Sequence, residues 1–423
     1  MKPHIHPENK INKLQSSFLG CLYFRNFSSG NGLIFIFFMS FFPNFSFSQI
    51  EVLNNGLPIS NSNDSVIIFG NVTHQSDGLI ANAGSFYITG NWKNDNPTGN
   101  VFTAGTDGWV HLDGDGQTIK GNTVTHFNNL ELSGTGVKQL TTVDTEIEDS
   151  LALNDREFSA GDKTVFVLSP GVGVITQTSG FVSSTDDGGL SRNTLSTSKY
   201  FFPVGSSFGG PFRPVDITPN SASANTFKVR MANVDATSEN FYRNLKESSL
   251  KEINPNFYHR IYRTDGNSSA DISIYYNEIV DGSFDKIAQW RNTPQWESIG
   301  DVEATTNYGL SGLTKLAFNN FNTTPFALTS EVISSVYVPN VFSPNGDGFN
   351  DILMVRGKAV AEMQFIIYDR WGEKVFETTD INAGWDGTYK GEPMNLAVFV
   401  YMLTGKYKNG EAIDEKGNFT LLR

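Results

Sequence analysis

The chain has 423 residues, enough for two or three domains, with 18% charged residues, 40 glycines, 34 phenylalanines and a formal charge of −13. Low charge with abundant Gly, Asn, Thr and aromatics fits an extracellular β-rich protein better than a helical cytosolic enzyme. An acidic chain without a basic block is a poor partner for phosphate backbones, so no nucleic-acid partner is expected.

Residues 1–48 read as a signal peptide. Lys2, Lys10, Lys13 and Arg25 precede an apolar run from Leu33 to Phe42, and Ser46-Phe47-Ser48 offers small residues for cleavage before Gln49. The run is about half of the roughly 20 residues a membrane-spanning helix needs, and Pro43 closes it, so a permanent anchor is the weaker reading. Cys21, the single cysteine, precedes the apolar run instead of following it, which rejects a lipoprotein site. Removing the leader leaves 27 basic and 43 acidic residues, a net charge of −16. It also leaves no cysteine, so disulfide and thiolate chemistry are excluded.

Residues 49–187 carry an internal period. Short β-prone runs at Val66–Phe69, Phe86–Thr89, Trp109–Leu112, Asn129–Leu132 and Leu151–Leu153 each run into Gly-Asn, Gly-Asp or a related corner. The central positions Gly70, Gly90, Gly114, Gly134 and Asn154 are spaced by 20, 24, 20 and 20 residues. One strand and one corner near every twenty residues predict the rung of a β-solenoid, with Gly or Asn supplying positive φ at the corner. Asp113-Gly114-Asp115-Gly116 is read as such a corner. The rival is an ordinary sandwich with regularly spaced hairpins.

From 188 to 330 the period fades, and a β-sandwich region is expected. Tyr200–Gly205, Thr226–Arg230, Ile272–Tyr276 and Ile287–Trp290 read as strands separated by Pro, Gly and Asn clusters. Glu239 to Ile253 has helical character, and Pro255 stops it. Residues 330–335 read as a brief linker.

Several patterns could carry chemistry, and each has a plainer reading. Gly205-Ser206-Ser207-Phe208-Gly209 matches a nucleophile elbow, but Gly210-Pro211-Phe212-Arg213-Pro214 cannot start the helix an elbow requires. His259 is the one histidine downstream. A Gly-rich loop is the expectation. Glu146-Ile147-Glu148-Asp149 offers paired carboxylates for glycoside hydrolysis, yet neighbouring carboxylates on a strand are more often a solvated face. His74, His111, His126 and His259 show no metal-ligand spacing and read as scattered strand histidines. Trp92, Trp109, Trp290 and Trp296 are either a sugar-stacking surface or core fillers. No phosphate loop or dinucleotide fingerprint is present, and no cofactor is expected.

The last stretch is the most specific. It contains Pro339, Asn340, Phe342, Pro344, Asn345, Gly346, Asp347, Gly348, Asn350 and Asp351, then Tyr368-Asp369-Arg370-Trp371-Gly372, then Trp385-Asp386-Gly387, then Tyr401 within the apolar run Ala397 to Leu403. Four short strands are expected at 365–368, 374–377, 398–402 and 419–422. Gly372 suits a tight hairpin, and Lys408-Asn409-Gly410 carries a turn signal. Asn345, Asp347 and Asp351 place oxygens at alternate positions, as calcium loops do, but the third alternating oxygen and the bidentate Glu of an EF-hand are missing. An Asx-rich turn is expected there, without a metal.

These residues resemble the gliding-motility-associated C-terminal domain, the type B sorting signal of the type IX secretion system. Ser343 stands where Thr is usual and Ala397 where Gly is common; no motif is lost. The resemblance covers the region 336–423 and implies a partner in the type IX secretion machinery and localisation at the outer-membrane surface or outside the cell. At roughly 90 residues the module suits an immunoglobulin-like sandwich.

The whole chain is therefore expected to be all-β: solenoid-like repeats, a middle β-sandwich and an immunoglobulin-like C-terminal sandwich. With no catalytic constellation evident, it reads as a non-enzymatic structural or adhesin-like protein, with an extracellular glycan or surface ligand as candidate partner. The alternative is a secreted polysaccharide-active enzyme, a lyase or glycoside hydrolase, on a β-solenoid. That alternative asks for Asp, Arg and Lys recurring at one rung position, and the repeat shows no such cluster.

Overall fold

The computed structural model describes residues 51–423 except 57, 210, 323–324, 332–334 and 409; the signal-peptide reading at 1–48 lies outside the described residues. The protein is all-β, about 2% helical, and divides into two compact units, Met1–Val182 and Ser183–Arg423. Among the described residues no helix is long and apolar enough to cross a membrane.

The first unit is a β-solenoid of about 7 turns, so the sandwich rival fails. One parallel sheet runs through Ser65–Ile68, Ser85–Ile88, Trp109–Leu112, Thr125–Leu132, Thr145–Ala152 and Thr164–Val167. Its register pairs Ser65 with Ser85, Ser85 with Trp109, Trp109 with Asn129 and Thr125 with Thr145. These offsets repeat the 20, 24, 20 and 20 read from the corners. A second parallel sheet links Glu51–Asn54, Asn71–His74, Trp92–Asn94, Thr118–Gly121, Lys138–Leu140 and Glu157–Ser159. Each coil thus carries at least two strands, and the alternation within them sends Phe86, Ile88, Val110, Leu112, Leu130 and Leu132 inward to a dry core.

The corners hold a correction. Gly70, Gly134 and Asn154 do adopt positive φ, at 149°, 64° and 48°. Gly90 and Gly114 do not; there the requirement is proximity. A Cβ on Gly90 would lie 2.3 Å from the Gly70 carbonyl carbon, and one on Gly114 would lie 1.8 Å from the Thr89 carbonyl oxygen. Stacked coils bring backbone against backbone at these corners, and only hydrogen fits between them. Asparagines add a ladder of their own, since buried amides must bond to something. Asn61 Nδ2 donates to Asn82 Oδ1 at 2.8 Å, and Asn82 Nδ2 to the Trp109 carbonyl at 3.0 Å. Lys138 is wholly buried in a corner, its ammonium donating to Gly114 O at 2.6 Å, Gln117 Oε1 at 2.8 Å and Thr135 O at 3.1 Å.

In the second unit, residues up to Thr329 form two antiparallel sheets. One is ordered Gly189–Thr194, Asn225–Ala232, Tyr258–Asp265, Phe326–Thr329, Lys286–Trp290, Trp296–Ser298; the other is Tyr200–Phe202, Val215–Pro219, Ala270–Tyr276, Leu310–Phe318, Glu303–Asn307. Pro203 separates Tyr200–Phe202 from Val204–Gly205, so the strand expected over 200–205 is two short ones. The helix expected over 239–253 is absent. A single 3-10 turn, Ala236–Glu239, is capped by Asp235 and ends at Asn240, which sits at φ 69°. Beyond it the backbone bonds to a strand instead: Trp296 N donates to Leu245 O at 2.8 Å and Glu247 N to Trp296 O at 3.0 Å. Leu250 and Ile253 are then buried against Trp296, and this packing outweighs helix propensity.

The C-terminal segment forms a five-stranded sheet, ordered Val341–Phe342, Ala412–Leu421, Ala397–Tyr407, Val360–Tyr368, Lys374–Thr378, with its first pair parallel and the rest antiparallel. Two small ribbons, Ser335–Tyr337 with Arg356–Lys358 and Thr388–Tyr389 with Glu392–Pro393, complete it. Gly372 at φ 83° closes the hairpin between Val360–Tyr368 and Lys374–Thr378.

Candidate functional site

A polar cleft of about 440 Å³ lies on the solenoid. Its origin is the one irregular spacing among the corners at Gly70, Gly90, Gly114, Gly134 and Asn154. The coil between Gly90 and Gly114 is four residues longer than its neighbours, and the surplus forms the loop that walls the cleft with Phe102, Gly105, Thr106 and Asp107. Asn128 ties this wall to the sheet, its Nδ2 donating to Thr106 O and Oγ1, both at 2.6 Å.

The floor comes from Thr125–Leu132 and Thr145–Ala152. Parallel register sets His126 beside Glu146, twenty residues on, and strand alternation puts Glu148 on the same side as Glu146. A bulge follows at once: Phe127 pairs with Ile147 but Asn129 with Ser150. His126 Nδ1 lies 2.8 Å from Glu146 Oε2 and 3.9 Å from Glu148 Oε1. Ligand atoms of all three side chains fall within 4.8 Å of one another. Thus one of the four scattered histidines and the Glu146–Asp149 run, treated separately in the sequence, meet in one place. The signal that joins them is the period itself, because residues one coil apart are neighbours.

The same rule makes a second pair with a different setting. His111 Nδ1 lies 2.7 Å from Glu131 Oε2, but His111 is buried and stacks on Tyr87, ring centroids 4.1 Å apart, while Asn154 Nδ2 donates to Glu131 Oε1 at 2.8 Å. The Nδ1 side of His111 is thus engaged within the sheet, whereas its buried Nε2 has no hydrogen-bond partner among the described residues. His74 and His259 are also buried; desolvation lowers both, His259 down to about 4. The His259 Nε2 shares its hydrogen bond with the Arg213 carbonyl at 2.7 Å. Among the described residues no helix follows Ser207; its hydroxyl lies 3.3 Å from Ser183 Oγ, and Phe208 beside it is 83% exposed. Of the candidate sugar-stacking tryptophans, Trp92 and Trp296 are fully buried, so they fill cores; Trp109 and Trp290 are half-buried.

In the C-terminal segment the motif residues separate into a core set and a surface set. Phe342 and Trp385 are buried with ring centroids 5.5 Å apart, and Trp385 packs on Phe399 at 4.9 Å. The indole Nε1 of Trp385 donates to Thr388 O at 2.7 Å, and Asp386 Oδ1 accepts from Thr388 N at 2.9 Å. Gly387, at φ 79°, leaves no room for a Cβ beyond 3.0 Å from Pro344 and Leu421. Tyr401 packs its ring 5.9 Å from that of Phe365. Asn340 accepts from Thr420 N at 2.9 Å through its carbonyl, next to half-buried Pro339. Tyr368 is half-buried on the strand leading into the hairpin turn, where Trp371 is 81% exposed and Arg370 lies 5.4 Å over its ring.

Residues 336–421 match the CHU_C Type IX secretion signal domain. The type IX signal domain implies engagement by the secretion machinery and export to the cell surface or the extracellular space. No curated protein and no solved structure matches the chain.

Within the signal domain, the oxygen-rich loop is bonded to its own backbone. Asp351 accepts from the amides of Asn345 at 3.0 Å, Gly346 at 2.7 Å and Gly348 at 2.8 Å. Asp347 Oδ1 accepts from Phe349 N at 2.8 Å and Asn345 Oδ1 from Asp347 N at 3.1 Å. Asn350 at φ 51° returns the chain, its carbonyl accepting from Ser343 N at 2.9 Å. The amides, that of Gly346 foremost, hold the Asp351 carboxyl below the usual carboxylate range. A carboxylate facing three amides forms an Asx-type turn.

Proposed function

We propose that the protein is a non-enzymatic, adhesin-like surface protein in which the type IX signal domain delivers a β-solenoid whose cleft contacts an extracellular ligand. The observation that carries this reading is the long third coil. It departs from the twenty-residue step of the coils on either side of it and builds a polar recess on the outer wall, which is where repeat proteins place binding surfaces. Carboxylates, amides and hydroxyls from Asp107, Asn128, Glu146 and Thr106 suit a hydroxyl-rich partner such as a glycan. A cleaved N-terminal signal peptide and attachment at the outer membrane belong to the same proposal. So do a β-sandwich for the two antiparallel sheets and an immunoglobulin-like sandwich for the signal domain, supported by antiparallel pairing and by the aromatic core around Trp385.

The test is incubation of purified protein with a polysaccharide panel, following both retention and product. Retention that weakens in Asn128→Ala, with no new reducing ends or unsaturated sugars, is the expected result. Release of such products would make the protein an enzyme and end this reading.

A further inference from the structure

We propose that His126, Glu146 and Glu148 form a site for a divalent transition-metal ion, of which Zn²⁺ is the probe, at the floor of the solenoid cleft. The inference goes beyond ligand recognition and stands whether or not the cleft binds a glycan.

The donor set comes first. One imidazole nitrogen and two carboxylates suit zinc and its neighbours in the first transition row, whereas calcium and magnesium take oxygen alone. Geometry comes second. Ligand atoms about 2.0 Å from a tetrahedral ion stand about 3.3 Å from each other. Here the Nδ1–Oε2 and Nδ1–Oε1 distances are 2.8 and 3.9 Å, and all three atoms lie within 4.8 Å. Shifts of an ångström or less in side chains that are 34%, 29% and 51% exposed bring them into range. The backbone beneath is fixed, because His126 and Glu146 are register partners in a parallel ladder on a fully buried core of Phe127 and Ile147. The bulge interrupts the regular pairing after Ile147 and places Glu148 and Asp149 opposite Asn128 before pairing resumes at Asn129 and Ser150, leaving the outer side of the cluster open to the cleft. Three protein ligands and an open side are the arrangement of zinc sites that keep a position for an exchangeable ligand.

The His111–Glu131 pair supplies the internal contrast. It has the same imidazole–carboxylate pairing one coil apart, but a stacked tyrosine and an asparagine amide surround it, and no second carboxylate joins it. Coil stacking therefore produces His–Glu pairs generally, while among the described residues a third ligand, a second carboxylate, joins such a pair beside an open cleft at His126.

The experiment is zinc titration of chelator-stripped full-length protein, by calorimetry and by competition with a chromophoric indicator, alongside His126→Ala, His126→Gln, Glu148→Gln and His111→Ala. One zinc per chain is expected. His126→Ala and His126→Gln should weaken it by about a hundredfold or more, and Glu148→Gln by at least about tenfold, since even residues behind a ligand change affinity by 10–100-fold. His111→Ala should leave it unchanged. Co²⁺ should give the visible absorption of a tetrahedral N/O site in the wild type and lose it in His126→Gln. Amide exchange over 125–152 checks that each variant keeps its coils. Zinc affinity indifferent to both His126 substitutions, or equal losses in His111→Ala, would overturn the site. So would absence of micromolar zinc binding by a folded wild-type chain.

Discussion

Replacing Gly114 by alanine tests the stacking argument at its tightest point. The new methyl carbon would stand 1.8 Å from the Thr89 carbonyl oxygen. Carbon and oxygen tolerate about 3.3 Å, so the two coils must part locally by roughly 1.5 Å. That opening exceeds what the corner's hydrogen bonds survive, since they run from 2.7 Å (Gly114 N to Gln117 Oε1) through 2.9 Å (Asp113 N to Ile88 O) to 3.0 Å (Thr135 N to Gly114 O). Losing two of them costs about 1 kcal/mol each, and forcing atoms into a packed region adds about 1–3 kcal/mol. The expected destabilisation is about 3–5 kcal/mol. Gly173→Ala is the matched control: its Cβ meets nothing within 4 Å, and its φ lies outside the left-handed range. A surface change of that kind stays within about 0.5 kcal/mol. Hydrogen exchange read by mass spectrometry on the intact protein localises the effect, with peptides over 85–152 exchanging faster in Gly114→Ala. If the two variants exchange alike, close backbone approach is not what selects glycine at these corners, and the account of the stack is wrong.

Trp385→Ala removes the centre of the signal-domain core and should cost about 3–5 kcal/mol, whereas Trp371→Ala, at 81% exposure, should cost under about 0.5 kcal/mol. Thermal melts of the two variants check this, and equal losses would misplace the core. Truncation before Tyr337 should hold the protein in the periplasm; surface proteolysis of intact cells that finds the truncated chain outside would remove the export role of residues 336–421. Burial lowers His259 from 6.5 to about 4, so between those pH values the unfolded chain takes up a proton that the native chain refuses. Stability should fall by about 3 kcal/mol as pH drops from about 6.5 to about 4, and His259→Gln should flatten that slope in urea titrations at stepped pH. A slope unchanged in the variant refutes the assignment. Because Asp351 is depressed by its amide partners, the Gly346 and Gly348 amide resonances should titrate below the ordinary carboxylate range, and they should lose that transition in Asp351→Asn.

How much was legible in the sequence differs from coil to site. The spacing of Gly70, Gly90, Gly114, Gly134 and Asn154 reported the register of a whole sheet, because a stacked coil can vary its length only by bulging. The reason for the glycines was only half legible: positive φ leaves no different trace in sequence from close approach, and Gly90 and Gly114 belong to the second kind. The stretch 239–253 misled because Leu250 and Ile253 fall three apart, as on one helix face, while their partner, Trp296, lies far along the chain. The cleft was missed for a related reason. His126 and Glu146 look unrelated in a linear reading, and nothing in the sequence distinguishes the 24-residue step as the wall of a recess. The cores of the sheets were legible from alternation; the Asn61–Asn82 ladder was not, since a buried asparagine and a turn asparagine are spelled alike.

The in-register coil also sets a rule for change in the gene. A duplicated or deleted segment of twenty codons adds or removes one coil, about 4.8 Å of stack, and leaves every inward residue above an inward residue. A segment of another length keeps that phase only if its surplus is pushed outward as a loop, as the four extra residues before Gly114 are. Lineages carrying this module should therefore differ by whole coils or by outward loops of any length, and the loops, free of the stacking constraint, are where new surfaces can arise.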